Sequence, residues 1–160
     1  MKKTTWLWLL LMVGLTLSPL WAARFTGWCV KVDEGDAIVV WVNKKRLNVH
    51  LESVDAPDPG QPFADPSREW LHSQLFKKKV SVDVASYSDE KFLLGRVYLD
   101  DRDMSLELVR AGMAWYAKDR GTDREIAKAQ RKARKDKVGL WTQKDPVPPW
   151  EYRKGKVSAR

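Results

Sequence analysis

Five short runs rich in β-branched and aromatic residues, tight turns between them and a helical segment after the third run predict an α+β fold. The arrangement expected is a five-stranded Greek-key barrel of the OB type carrying three helices. Closing such a barrel gathers loop tips at one rim, and sites usually lie on loops held by a rigid scaffold. Residues 25–32, 37–42 and 46–54 make the first three strands, with Gly35-Asp36 and Asn43-Lys44-Lys45 as the turns. The first helix starts with Asp65 as N-cap and Pro66 in its first position, and ends near Lys77-Lys78-Lys79, whose charges suit a helix C-terminus. Residues 80–84 alternate as a fourth strand, and 92–99 form the fifth after a polar turn at 88–91.

Ser105 is the expected N-cap of the second helix, with Met104 and Val109 as a hydrophobic staple and Leu106, Val109 and Met113 on one face. Gly112 ends or bends that helix. Residues 123–138 form a third helix with a narrow apolar stripe of Ile126, Ala129 and Ala133. Its other faces are largely basic, the pattern of a solvated face and less commonly of a binding surface. Trp70, Trp115 and Trp141 read as core residues and His72 as a surface residue, while Trp28 and Trp41 fit either a core or a binding role.

The 160 residues suffice for one domain with its own core. Residues 1–22 stand apart: Lys2 and Lys3, an apolar run and a small residue at Ala22 read as a secretory signal peptide, with an uncleaved anchor as the alternative. The domain then spans 23–153, and 154–160 is expected to be a disordered tail. Removing 1–22 takes away two lysines and no acid, so the formal charge falls from +8 to +6. A basic chain favours nucleic acid, anionic glycans or lipid head groups as partners. The single cysteine, Cys29, excludes an internal disulfide and reads as a buried thiol; no Cys or His cluster points to zinc.

The chemistry concentrates in Val54-Asp55-Ala56-Pro57-Asp58-Pro59-Gly60-Gln61-Pro62-Phe63. Pro57 restricts itself and Ala56, which holds Asp55 and Asp58 at a set separation. Asp36 adds a third acid from the Asp33-Glu34-Gly35-Asp36 turn. Stiffly held acids from two loops suit a hard cation that takes oxygen ligands, and the same residue types also mark ordinary turns.

Asp36 in its turn, Val54-Asp55-Ala56-Pro57-Asp58 and Gln61-Pro62-Phe63 resemble the staphylococcal nuclease family. So do Leu94-Gly95-Arg96-Val97-Tyr98, residues 108–114, Gly139-Leu140-Trp141 and the closing Pro146-Val147-Pro148-Pro149-Trp150-Glu151. The resemblance implies a calcium ion held by Asp36, Asp55 and the carbonyl of Ala56. Asp58 stands where the family has a glutamate that orients or activates the attacking water, and its carboxylate is set back by ~1.5 Å. His50 and Phe92 stand where the family has its two phosphate-gripping arginines. Lys91 is the nearest cation, within reach of the phosphate if the hairpin is one residue tighter. Tyr116 lies where the family stacks on a base. The implied function is weak, calcium-dependent phosphodiester hydrolysis of single-stranded DNA or RNA by a secreted or periplasmic monomer with no stable membrane association after signal cleavage. The alternative is an inactive nuclease-fold module that binds nucleic acid, another polyanion or a protein.

Overall fold

The structure, a computed structural model, describes residues 24–87 and 92–158. The expected signal peptide at 1–22 and Lys91 lie outside the described residues.

Strands β1 (Arg24–Glu34), β2 (Ala37–Val42) and β3 (Lys45–Leu51) form an antiparallel meander. The two-residue strand β4 (Val54–Asp55) and helix α1 (Ala64–Leu75) follow, then β5 (Lys79–Tyr87) and β6 (Leu93–Leu99). Strand β5 pairs antiparallel to both β1 and β6. Parallel pairing of β3 with β6 closes the five-stranded barrel. Strand β1 serves two neighbours because register shifts between Cys29 and Lys31 and between Val32 and Glu34 bend it. In β6, every second residue from Leu93 to Leu99 is buried, as expected of a strand with one face on a core. The core gathers Ile38, Val40, Val49, Leu51, Val82 and Val97 from the strands and Leu71, Leu75 and Leu108 from the helices.

The remaining elements are β7 (Arg102–Asp103), α2 (Met104–Arg110), β8 (Trp115–Tyr116), a 3-10 turn at Lys118–Arg120, α3 (Arg124–Lys135), a second 3-10 turn at Gly139–Thr142 and α4 (Pro149–Ser158). Among the described residues there are thus four α-helices where three were expected. The fourth runs to Ser158, so the expected boundary at 153 falls inside a helix rather than at the start of a disordered tail. Pro149 opens it, a position where a missing N–H leaves no bond unmade.

Three local expectations shift. Helix α1 begins at Ala64 with Phe63 in a left-handed conformation as N-cap, so Asp65 lies inside the first turn rather than capping it. Asp103, not Ser105, caps α2: its carboxylate accepts from the N–H groups of Ser105 and Leu106. The third strand stops at Leu51 because Ser53 takes a positive φ of 63°. The α3 stripe holds, with Ile126 and Ala133 buried and Ala129 packed against the core. Cys29 is fully buried, and burial pushes its thiol up to about 11. Trp115 and Trp141 pack together in a second cluster and Trp70 lies against the main core, whereas Trp28 and Trp41 are exposed. His72 is exposed, as expected. Among the described residues no helix is long and apolar enough to cross a membrane.

Candidate active site

The acids arrive from two directions. Asp36 sits in the β1–β2 turn, brought inward by Gly35, where an added Cβ would lie only 2.7 Å from the Cβ atoms of Ala56 and Ser67. That close approach sets the turn directly against the Asp55-Ala56 segment. Asp36 is 3% exposed and Asp55 3%. Reciprocal bonds brace the loop that follows: the Asp58 N–H donates to Gln61 Oε1 at 2.8 Å, and the Gln61 N–H donates to the Asp58 carbonyl at 2.9 Å. Gln61 Nε2 also donates to the Val147 carbonyl at 3.1 Å, tying the loop to the segment that leads into α4.

Two arginines meet these acids. The short β4–β8 ladder pairs Val54 with Tyr116 and Asp55 with Trp115. Bonds from the Ala117 N–H to the Ser53 carbonyl and from the Ser53 N–H to the Arg120 carbonyl extend the seam. Arg120 is therefore delivered to the acids by backbone pairing. Its Nη1 donates to Asp36 Oδ2 at 2.6 Å and to the Val54 carbonyl at 3.2 Å, and its Nη2 lies 3.2 Å from Asp55 Oδ1. Arg153 comes from α4, which Trp150 anchors on the second cluster one helical turn earlier. Its Nη2 donates to Asp55 Oδ2 at 2.6 Å and its Nη1 to Asp58 Oδ1 at 2.8 Å.

The site thus holds three carboxylates against two guanidiniums. Burial pushes the Asp36 carboxyl up to about 6, against the opposing pull of Arg120. Hydrogen bonds to Asp55 hold the Arg153 guanidinium above its ordinary value.

A calcium ion needs several oxygens turned toward one point. Asp36 and Asp55 do converge, since one guanidinium reaches both. Their oxygens, however, are already engaged: Asp36 by Arg120 and the Ala56 N–H, and both oxygens of Asp55 by Arg120 and Arg153. Among the described residues no group of three or more His, Cys, Asp and Glu side chains is arranged to hold a metal ion. In this arrangement the residues do not fit calcium, because guanidinium supplies the positive charge.

The phosphate side differs. His50 and Phe92 pack ring on ring, with centroids 4.3 Å apart, beside Asp33 and Glu34. Burial, helped by Arg120, pushes the His50 imidazole below its ordinary value, so it is neutral at pH 7. Tyr116 is half-buried; its hydroxyl accepts from the Asp123 N–H at 3.3 Å, and its ring borders a recess shared with Lys118 and Trp150. Asp58, expected to act on water, is held by Arg153 instead.

Arg120 and Arg153 were not singled out from the sequence. They lie 84 and 98 residues from the acids they meet, in basic segments with no local signal.

A closed five-stranded barrel with paired aspartates at its rim defines an OB-type α+β domain. The chain belongs to the staphylococcal nuclease family: the family described as staphylococcal nuclease homologue matches residues 48–143. It is 35% identical over 136 residues to an uncharacterized endonuclease of Escherichia coli O157:H7, covering 84% of this chain and 89% of that protein. It is 32% identical over 155 residues to Protein ParB of Escherichia coli, covering 90% and 87%. Micrococcal nuclease of Shigella flexneri is 30% identical over 152 residues, covering 88% and 87%. The family match includes Asp55, Asp58 and Arg120 and stops short of Arg153.

Proposed function

We propose that this protein binds single-stranded nucleic acid at the barrel rim and hydrolyses it weakly. One observation carries the reading: positive charge stands among the acids, at Arg120 and Arg153, while positions 50 and 92 hold a neutral histidine and a phenylalanine. Arg153 keeps 42% of its side chain exposed, and its fork has N–H groups beyond those given to Asp55 and Asp58. Those donors suit a phosphate oxygen, and bidentate contact of that kind is the strong form of phosphate recognition. Tyr116 and Trp150 offer aromatic faces in the adjoining recess, as single-strand binders use. Hydrolysis is weak in this reading because no cationic donor fork stands at 50 or 92, and losing one preorganised donor costs on the order of 10²–10³ in turnover.

A second reading, an efficient calcium-dependent nuclease, is favoured by the convergence of Asp36 and Asp55 on one cationic group, and its nuclease part by a relative named micrococcal nuclease. A gel assay on labelled single-stranded DNA and RNA, with calcium and with chelator, separates the two. The first reading expects retention of the strand in both conditions and slow cleavage. Fast cleavage that chelator abolishes would establish the second.

The setting we propose is outside the cytoplasm, in the periplasm or secreted, on the strength of residues 1–22. Mass spectrometry of the native protein should find a chain beginning at Ala23 or Arg24; a full-length chain in the membrane fraction would overturn this.

A further inference from the structure

The register of the barrel sets four residues side by side across four strands. Trp28 pairs with Trp41, Trp41 with Arg46, and Trp28 with Lys79. Residues directly opposed on antiparallel strands point to the same face. Arg46, Trp41, Trp28 and Lys79 therefore form one row on the outside of the barrel. Trp28 is 53% exposed and Trp41 40%, with an exposed cation at each end. Neither Arg46 nor Lys79 forms an ion pair among the described residues. The nearby strand acids are engaged elsewhere: Asp33 pairs with Lys31, and Asp83 with Arg24. Beside Trp28, a shallow groove runs along Val30, Phe76 and Lys77, with the Lys77 ammonium 5.3 Å from the Phe76 ring.

Two indoles offered to solvent between two unpaired cations match one ligand chemistry in particular. A single-stranded nucleic acid presents flat bases for the indoles and a phosphate at each step for the cations. The row lies about 17 Å of extended strand from Asp36, so one strand can cross both surfaces.

We propose that the row Arg46–Trp41–Trp28–Lys79 is a second binding surface for single-stranded nucleic acid, stacking bases on the indoles and pairing phosphates with the cations. It rests on the reading of the rim as a nucleic-acid contact and extends the bound strand along the β1–β2 hairpin.

Fluorescence anisotropy with labelled oligothymidylates of about 4 and about 16 nucleotides tests it. The longer strand should bind the purified protein at least tenfold more tightly. Trp28→Ala with Trp41→Ala should remove that advantage and leave the short strand unchanged, and the paired Trp→Phe variant should restore most of it. Arg46→Gln or Lys79→Gln should each lower the slope of log affinity against log salt by about 0.7. An advantage that survives in the alanine pair overturns the proposal. So does a row that binds vesicles of phosphatidylglycerol and phosphatidylcholine in equal parts but not the oligonucleotide. If the alanine pair fails to fold, Arg46→Glu with Lys79→Glu must abolish the long-strand advantage on its own, and an unchanged advantage there overturns the proposal. Arg153→Gln should weaken the short strand; its failure to do so counts against the rim reading and leaves the row standing.

Discussion

The two sides of the rim differ in where their charge stands. On the acid side, Asp36, Asp55 and Asp58 are crowded with guanidinium. On the phosphate side, the positions where the resemblance expects arginine hold His50 and Phe92, packed on each other. The cations of the site thus stand among its acids, at Arg120 and Arg153, and positions 50 and 92 carry none. A barrel of this type can thus hold acids and cations at one rim without placing the cations at positions 50 and 92, where the resemblance expects them. Function lies in where the charge stands, not in how much there is.

The largest effect should come from moving positive charge from the acids to positions 50 and 92. His50→Arg, Phe92→Arg and Asp58→Glu rebuild the phosphate side, and Arg120→Gln frees the acids. The combined variant should gain at least about two orders of magnitude in single-turnover cleavage of single-stranded DNA with calcium, the worth of one preorganised donor. The same variant with Arg120 retained should gain less. Equal gains in both would show that Arg120 does not obstruct the acids.

A smaller effect separates the two arginines. Arg120 is 25% exposed and faces acids that are 5% or less exposed, so Arg120→Gln leaves buried charge without a partner and should cost about 3 kcal/mol in chemical denaturation at pH 7. Arg153 is 42% exposed, and Arg153→Gln should cost about 1 kcal/mol or less. The Arg120 loss carries a pH signature. The Asp36 carboxyl titrates at about 6 in the folded chain, above its ordinary value. The native state therefore binds more protons than the unfolded state between about pH 4 and 6, and stability from this group falls as pH rises through that window. Without Arg120 the carboxyl titrates higher still, so Arg120→Gln should hurt more at pH 8 than at pH 5. A cost independent of pH would place Arg120's contribution elsewhere than on Asp36.

The smallest effect concerns His50. Its imidazole lies below the ordinary value, so it is neutral above pH 7. Nucleic-acid affinity should show no inflection between pH 7 and 8 that His50→Gln removes; such an inflection would mean that a charged imidazole grips the phosphate.

Most of the barrel was legible because strand alternation and turn residues are local signals. The acids were legible too: Asp36 and Asp55 sit at turns bounded by Gly35 and Pro57, and these brought them to one rim. The partners of those acids were not legible. Arg120 depends on the β4–β8 ladder, a pairing of two residues on each strand, and Arg153 on a helix across the position where the domain was expected to end. The α2 cap moved from Ser105 to Asp103 because the two-residue β7 places Asp103 just before the first turn. Trp28 and Trp41 stayed ambiguous until the hairpin register put both on the outer face.

Calorimetric titration of calcium shows directly whether guanidinium occupies the place of a cation at Asp36 and Asp55. The unmodified chain should give little or no calcium heat up to millimolar concentration, and the paired variant Arg120→Gln with Arg153→Gln should bind measurably, an effect lost again on adding Asp36→Asn. Micromolar calcium binding by the unmodified chain, with an affinity that the arginine substitutions leave unchanged, would contradict that role of guanidinium.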